Sequence, residues 1–429
     1  MNPSLLMIAA LVIFAATYIF IITEWINKML AALIGGFLVV LTGIVNQEVV
    51  FEAIDWNVIF FLIGMMLVIS VLRKTGIFMF VAIKSAKLAR GNPLTIMMMM
   101  FMVTAFSSAF LGSVTSIMIL IPIVMLISHE LKIGPIPFIV TMVIASNMGG
   151  AATMVGDPPN ILIGSATNYN FIDFILNLTP PVIIITLISL LLIFVMYRKK
   201  IRATLRDRAK LMSYKEKNLV KDKRLLIITL TTVLVMLVTL AMDSVLHIGT
   251  ATIAMSAGLF LLIISSRQQV EQVLVSDVDW VTIFFFIGLF MIVESLVKTG
   301  FIDGLANQVM TSTRGEARPT AMAILWLSGV FSAFVDNVPF VATLIPMVQK
   351  IGTVITQKSL IDPIWWSLSL GACLGGNGTL IGASANVVAV GIARHNGVRI
   401  SFWEFVKISA SFTLLSLVVS SIYILVRYF

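Results

Sequence analysis

The sequence is poor in cysteine and histidine. Among its 429 residues there is one cysteine, Cys373, and the three histidines, His129, His247 and His395, are far apart. A disulfide framework or a thiolate metal centre within one chain needs several ligands at suitable spacings. The composition therefore excludes both kinds of site, and we expect neither a metal nor an organic cofactor.

Charged residues are also scarce. They make up 11% of the chain, hydrophobic residues make up 59%, and the mean hydropathy is +1.06. Apolar runs long enough to cross a bilayer recur from Leu5 to Tyr428, and we interpret the first, Leu5–Thr23, as a retained span rather than a signal peptide. These features predict a polytopic α-helical protein of the cell inner (plasma) membrane, with the lipid bilayer as its solvent.

The net charge of +9 comes from one stretch of the chain. Between Arg198 and Arg224 there are 12 lysines and arginines and three acidic residues, so the remainder sums to zero. A basic connector between apolar spans is typical of a cytoplasmic loop that follows the positive-inside rule. We therefore predict a cytoplasmic linker at 198–224 and no nucleic-acid partner.

The two halves of the chain repeat each other at an offset of 224. The string Asp-Trp-x-x-Ile-Phe-Phe-x-Ile-Gly occurs at 55–64 and again at 279–288, and Lys-Thr-Gly occurs at 74–76 and 298–300. We predict one repeat at 1–197 and a second at 225–429, each with about five transmembrane helices and one re-entrant hairpin. Because five is odd, the second repeat is inverted relative to the first, as in secondary transporters. With the linker in the cytoplasm, both termini lie outside.

Polar turns identify the two predicted hairpins. The first joins short helices at Leu94–Ala109 and Ile117–Ile127 through the polar turn Gly112–Ser116. The second covers Thr320–Val348 and has Asp336-Asn337 at its turn. Since neither helix of the first pair is long enough for a full crossing, a re-entrant arrangement is expected.

Two stretches break their apolar surroundings in the same way. Ser146–Asn160 and Gly375–Asn386 both read Gly-Gly-x-x-Thr, two apolar residues, Gly, three residues, Asn. Irregular backbone at membrane depth is tolerated only where it is enclosed by protein or lines a cavity. Matching breaks in two halves are the best sequence indication of a transporter's binding site.

The candidate residues follow from these turns and breaks. Asp336 is the principal candidate because a carboxylate at membrane depth costs about 2.5–3.5 kcal/mol, although Asp336 and Asp157 could each be helix caps. Asn160 and Asn386 could instead repair the broken helices, and Glu294 could simply pair with Lys298. The predicted ion- or substrate-binding residues are Ser113, Thr115, Asn147, Thr153, Asp157, Asn160, Asp336, Asn337, Asn377, Thr379, Ser384 and Asn386, and the predicted proton carriers are Asp336, Asp157 and Glu294.

The residues absent from these segments indicate the substrate class. Segments 104–122, 141–166, 324–346 and 370–392 contain no lysine, arginine or histidine. This favours a cation, a proton or a neutral hydroxide over an anion, and a lone cysteine cannot form a three-thiolate arsenic site. A passive channel would need a continuous polar pore, and an enzyme would need a catalytic constellation that we do not find. The breaks and hairpins favour alternating access instead.

Three strings carry a resemblance to a known family. Gly156-Asp-Pro-Pro-Asn160, Asp336-Asn-Val-Pro-Phe340 and the segment Gly371–Ser384 resemble the signatures of the arsenite-permease and sodium/proton-antiporter (ArsB/NhaD) group of the ion-transporter superfamily. They are most similar to the branch that contains the pigmentation P protein. The chain departs from that pattern at Gly112-Ser113, where similar proteins usually have Asp-Asn, and this affects the expected coupling stoichiometry.

The resemblance implies a mechanism and a substrate. It implies a homodimer with scaffold and transport domains that works by an elevator-type shift of hairpins and broken helices. The implied function is proton-coupled efflux of arsenite or antimonite, with sodium or lithium/proton antiport and anion or dicarboxylate transport as alternatives. Substrate and protons are the expected small partners, and a soluble ATPase subunit stays open as a further one.

Overall fold

The computed structural model describes residues 3–23, 25–212, 220, 222–265 and 270–429. All regular structure in these ranges is α-helical. Within them, eight helices are long and apolar enough to cross a membrane, and three shorter apolar helices lie at Lys28–Leu41, Ile136–Ala151 and Thr250–Ser265. The chain is therefore the all-α, multi-pass membrane protein that its composition predicts.

Among the described residues, the first half has ten helices, and one more lies in the linker. They are α1 Pro3–Thr23, α2 Lys28–Leu41, α3 Gln47–Glu52, α4 Trp56–Lys74, α5 Ile77–Leu88, α6 Pro93–Leu111, α7 Ser113–Glu130, α8 Ile136–Ala151, α9 Pro158–Ala166, α10 Phe171–Tyr197 and, in the linker, α11 Leu205–Met212. Residues 213–219 and 221 of the predicted linker lie outside the described residues, and its cytoplasmic placement stays a prediction.

The second half repeats the order of the first. Its helices are α12 Lys223–Ala241, α13 Asp243–Leu246, α14 Thr250–Ser265, α15 Val270–Ser276, α16 Trp280–Lys298, α17 Phe301–Ser312, α18 Ala317–Ser332, α19 Asn337–Val354, α20 Lys358–Gly375, α21 Ser384–His395 and α22 Phe402–Tyr428. Apart from the short α13, each has a counterpart about 224 positions earlier. The α4 and α16 helices begin and end at matched positions, and each begins after an aspartate, Asp55 or Asp279, that caps it.

The halves are joined by two pairs of helices, each with one helix from either half. The α4 helix of the first half packs along α14 of the second, and α16 of the second packs along α2 of the first. A Cβ atom on Gly64 would lie 2.4 Å from the carbonyl carbon of Ala254, and one on Gly288 would lie 2.5 Å from that of Ala32. Only glycine permits this backbone approach, which gives close van der Waals packing between membrane helices.

The first hairpin differs from its predicted form. Its helices, α6 and α7, have 19 and 18 residues and are longer than expected. The predicted polar turn is wrong, because Gly112 alone separates the helices and Ser113 and Thr115 already belong to the first turn of α7. Gly112 has φ +85°, a region that glycine occupies at little cost, so one residue reverses the chain.

The broken helices occur where the sequence predicts them. The first break lies at 152–157, between α8 and α9, and the second lies at 376–383, between α20 and α21. In the second hairpin, residues 333–336 separate α18 from α19, and Asp336 immediately precedes α19. The two hairpin turns and the two breaks meet at one place, which is the candidate functional site.

Candidate functional site

Each break is attached to its own hairpin by a threonine. Oγ1 of Thr153 donates to the carbonyl oxygen of Ala109, near the end of α6, at 2.5 Å. Thr379 makes the equivalent hydrogen bond to the carbonyl oxygen of Ala333, after α18. Both threonines are buried, so these two predicted site residues connect break to hairpin through their hydroxyl groups.

Two asparagines repair the breaks. Nδ2 of Asn160 donates to the carbonyl oxygen of Thr153 at 2.9 Å, and Nδ2 of Asn386 donates to that of Thr379 at 2.8 Å. Each amide also donates to a second carbonyl of the same helix break. A broken helix leaves carbonyl groups without backbone partners, and these amides satisfy them. The structure therefore supports a helix-repair role for Asn160 and Asn386.

A second group of amides joins the two halves. Nδ2 of Asn147 donates to Oδ1 of both Asn377 and Asn386, at 2.9 Å in each case. All three side chains are fully buried. Among the described residues, Oδ1 of Asn147 and Nδ2 of Asn377 have no hydrogen-bond partner. Buried polar atoms are normally paired, so an acceptor and a donor remain available here for a ligand.

The equivalent position in the other half is occupied by Cys373, which the sequence analysis did not place in the site. Position 373 lies 226 after Asn147, and its Sγ is 3.8 Å from Oδ1 of Asn160. The same Oδ1 accepts a 2.5 Å hydrogen bond from Ser369. The 226-residue offset from Asn147 is the sequence signal that could have identified Cys373 as part of the site.

Asp157 connects the two hairpins. Its Oδ1 accepts a 2.8 Å hydrogen bond from Ser113 Oγ in the first hairpin. Its Oδ2 accepts a 2.9 Å hydrogen bond from Asn337 Nδ2 in the second. Although Asp157 immediately precedes α9, its side chain makes no capping hydrogen bond to that helix. The interpretation of Asp157 as a helix cap is therefore wrong.

Asp336 caps its helix and also contacts the second break. Its Oδ1 accepts from the backbone N–H of Val338 at 3.2 Å, and its Oδ2 accepts from Ser384 Oγ at 2.5 Å. The capping role is thus confirmed, and the carboxylate has a second oxygen for other partners. Ser384, a predicted site residue, is the first residue of α21.

Lys28 is a second site residue that the sequence analysis missed. Its Nζ lies 3.7 Å from Oδ2 of Asp336 and donates a 2.8 Å hydrogen bond to Ser384 Oγ. The segment around Asp336 contains no base, as the sequence shows, and the base that pairs with Asp336 comes instead from α2. Its position between two apolar spans, just after the helix cap Asn27, is the only sequence signal.

A cavity of about 340 Å³ reaches this ion pair. Lys28, Asp336 and Ser384 line it together with mostly apolar side chains, among them Ile21 and Phe334. The second carboxylate, Asp157, is not among the lining residues and is 2% exposed. In this conformation, the two acids therefore differ in access, and Asp336 is the one that a solute in the cavity can reach.

Two predicted residues lie apart from the cluster. Thr115 is half-buried in the first turn of α7 and makes no side-chain hydrogen bond to a described residue. Oε1 of Glu294 is 3.6 Å from Nζ of Lys298, one helical turn later. The predicted alternative of a local ion pair is therefore confirmed for Glu294, and in the described part of the chain no hydrogen bond or ion pair joins it to Asp157 or Asp336.

Four helix N-termini point to the same place. The first residues of α7, α9, α19 and α21 are Ser113, Pro158, Asn337 and Ser384, and the contacts of Asp157 and Asp336 link these ends. Each N-terminus carries roughly half a positive charge. Two carboxylates offset this charge, so a proton or cation on either one leaves a site that attracts anions.

Two facing hairpins, two broken helices and carboxylates where they meet define a membrane transporter. A family model described as "Citrate transporter" matches residues 18–371, and the chain belongs to this citrate transporter family. The family description names a transporter, and the two mycobacterial relatives described next are named as a membrane protein and a transporter. That the chain is not an enzyme stays a prediction.

Several relatives cover nearly the whole chain. A 46 kDa membrane protein of Mycobacterium leprae is 40% identical over 425 residues, covering 98% of this chain and 99% of the relative. An uncharacterized transporter of Mycobacterium tuberculosis is 40% identical over 426 residues, with the same coverage. The human P protein is 27% identical over 500 residues, covering 98% of this chain and 60% of the P protein. The predicted resemblance to the P protein is thereby confirmed.

A solved structure supports the fold. The YdaH transporter of Alcanivorax borkumensis, described as having an unusual topology, superposes with a TM-score of 0.56 over 91% of this chain and 87% of that one. The sequences are 14% identical, so the likeness concerns architecture. Membership of the narrower arsenite-permease and antiporter group stays a prediction.

Proposed function

We propose that the protein is a secondary active transporter in which Asp157 and Asp336 carry the coupling proton or cation. The observation that carries this proposal is the 2.9 Å hydrogen bond from Asn337 to Asp157. Because Asn337 directly follows Asp336, this hydrogen bond connects Asp157 to the hairpin turn that carries Asp336. A proton or cation bound at one carboxylate then changes the affinity of the other carboxylate for its own ion.

The surroundings of Asp157 support a coupling role. Its partners, Ser113 and Asn337, are neutral, and no described lysine, arginine or histidine forms an ion pair with it. A charge at membrane depth costs about 2.5–3.5 kcal/mol and is usually retained for function. A proton or cation that arrives at Asp157 removes this cost, which gives an ion gradient a means of driving the site.

The helix arrangement supports an elevator-type cycle. The hairpins and broken helices form one set of elements. The helices α2, α4, α14 and α16 form a second set, because α2 packs along α16 and α4 packs along α14. We propose that the first set moves against the second and exposes the site alternately to each side. A homodimer, with the second set at its centre, fits this mechanism.

Proton-coupled export of arsenite or antimonite is the first candidate for the substrate. The supporting observation is that Oδ1 of Asn147, an acceptor, and Nδ2 of Asn377, a donor, are both buried without a partner among the described residues. An undissociated hydroxide both donates and accepts hydrogen bonds and carries no charge. Neutral amides suit such a ligand because they bind it without the cost of desolvating an ion.

A carboxylate anion is the second candidate. Its supporting observation is the convergence of the four helix N-termini, which favours negative charge. The description of the family as citrate transporters agrees with it. In this case, neutralisation of Asp157 or Asp336 by a coupling ion precedes anion binding, so that ion and anion enter together.

Transport by the purified protein in proteoliposomes tests the proposal. A pH-sensitive dye reports proton movement while arsenite, citrate, sodium or lithium is supplied on one side. We expect at least a tenfold loss of uphill transport in Asp336→Asn and Asp157→Asn, with Glu294→Gln as the matched control at wild-type rate. Wild-type uphill transport in both aspartate variants would refute the proposal, and the substrate that moves distinguishes the two candidates.

A further inference from the structure

We propose that the ammonium group of Lys28 is a tethered cation that occupies a monovalent metal-cation site at Asp336, and that a free sodium or lithium ion binds by displacing it. This inference rests on the proposed function of Asp336 in coupling. It adds a competitor that is built into the chain, and it assigns the position of the competing ion to the oxygens of Asp336 and Ser384.

The ammonium group of Lys28 contacts the same kinds of oxygen atom that bind a metal cation. Its Nζ donates to Ser384 Oγ at 2.8 Å and lies 3.7 Å from Asp336 Oδ2, while Ser384 itself donates to the same Oδ2 at 2.5 Å. The ammonium group thus contacts a hydroxyl and a carboxylate oxygen. Oxygen atoms of this kind are the ligands that hard metal cations prefer.

The ammonium group of Lys28 makes few contacts, so a free cation can replace it. The ammonium has three donors, and Ser384 is its one hydrogen-bond acceptor among the described residues. The Lys28 side chain is 30% exposed, and that of Asp336 is 13% exposed. The cavity of about 340 Å³ beside them gives an incoming ion access to Asp336 and gives the displaced ammonium space.

The contact also joins the two sets of helices. Lys28 begins α2, which packs along α16, and its Nζ lies 5.3 Å from the ring centre of Phe285 on that helix. Asp336 belongs instead to the turn of the second hairpin, and Ser384 is the first residue of α21, directly after the second break. Binding of a free cation at Asp336 therefore removes a contact between the two sets, which links ion binding to their relative movement.

The two halves differ at this position. Residue 252, which lies 224 after Lys28, is Thr252, and Gly112 stands where the other hairpin has Asp336. The groups that face Asp336 are Lys28 from α2, Tyr18 from α1, which donates to Pro339 of the same hairpin, and Asp157 across Asn337. Lys28 is the one cationic group among them, so within the described part of the chain Asp336 has a tethered counter-ion and Asp157 does not.

Thermal unfolding of the purified full-length protein tests the inference without any substrate. Unfolding is followed by tryptophan fluorescence in sodium, lithium or choline chloride at constant ionic strength. We compare the wild type with Lys28→Met and with Lys350→Met, a control that removes a lysine paired with Asp303 on an exposed face. The double variant Lys28→Met/Asp336→Asn removes both the tether and the site.

Displacement predicts a specific pattern. The sodium or lithium concentration that gives half of the maximal stabilisation should fall at least tenfold in Lys28→Met and stay unchanged in Lys350→Met. In the double variant, neither ion should raise the unfolding temperature. Wild-type cation dependence in Lys28→Met, or absence of any cation effect in that folded variant, would overturn the inference. The proteoliposome result for Asp336→Asn is independent of this outcome, so failure of the tether and failure of the coupling proposal are distinguishable.

Discussion

Nδ2 of Asn337 donates a 2.9 Å hydrogen bond to Oδ2 of Asp157, 180 positions earlier in the chain. The donor lies at the tip of the second hairpin, and the acceptor lies at the end of the first helix break. One hydrogen bond therefore connects the binding elements of both halves. A change in the charge of Asp157 therefore alters the strength of a hydrogen bond made by the residue that follows Asp336.

Removal of the amide at position 337 should destabilise the protein through Asp157. In Asn337→Leu, the buried carboxylate of Asp157 loses the hydrogen bond from position 337 and keeps the one from Ser113. Hydrogen bonds to charged groups contribute about 1.5–3 kcal/mol, and we expect a loss of this size in the free energy of unfolding, measured in detergent at neutral pH.

A double-mutant cycle provides the control for that prediction. If the loss arises through the carboxylate, it should shrink when Asn337→Leu is made in an Asp157→Asn background, because the acceptor is then neutral. An equal loss in both backgrounds would mean that Asn337 acts through packing alone.

Replacement of a helix-repair amide should weaken the fold of its break. Asn386→Leu keeps the volume but leaves the carbonyl oxygens of Gly376 and Thr379 without their side-chain donor. Each unsatisfied buried group costs about 1–3 kcal/mol, so we expect a large fall in the unfolding temperature. Asn396→Leu, at an exposed asparagine near the end of α21, is the matched control. Equal unfolding temperatures for the two variants would contradict the repair role.

Glu294 should be dispensable for coupling. Its carboxylate pairs with Lys298 on the same helix, and an ion pair of this i,i+4 type contributes about 0.3–0.5 kcal/mol. Glu294→Gln should therefore retain the wild-type ratio of protons to substrate in proteoliposomes. A changed ratio with normal expression would make Glu294 a proton carrier after all.

The inverted topology can be tested by labelling from each side of the membrane. In a Cys373→Ser background, single cysteines at Lys199, in the basic linker, and at Phe429, at the C-terminus, should react with an impermeant thiol reagent from opposite sides. The expectation follows from the odd number of crossings between these positions and from the positive-inside rule. Reaction of both from the same side would contradict the count of five.

The sequence by itself determined the helices, their repetition and the places where they break. Matched strings such as those ending at Gly64 and Gly288 encode matched helices, because hydrophobic length and capping residues act locally. Paired glycines mark both breaks, and Pro158-Pro159 follow the first, because glycine and proline each disfavour a continuous helix locally. The exact extent of the first hairpin was missed because a single left-handed residue, Gly112, makes the turn, and the polar residues after it are helical.

Only the tertiary structure decided which charges and amides meet. Lys28 reaches Ser384 across 356 positions, and Asn337 reaches Asp157 across 180. Neither contact leaves a periodic pattern, since the partners lie on different elements and come together through the packing of the halves and the meeting of the hairpins with the breaks. Local sequence sets the conformation of each helix, but the distance between two side chains on separate helices depends on how the whole bundle packs.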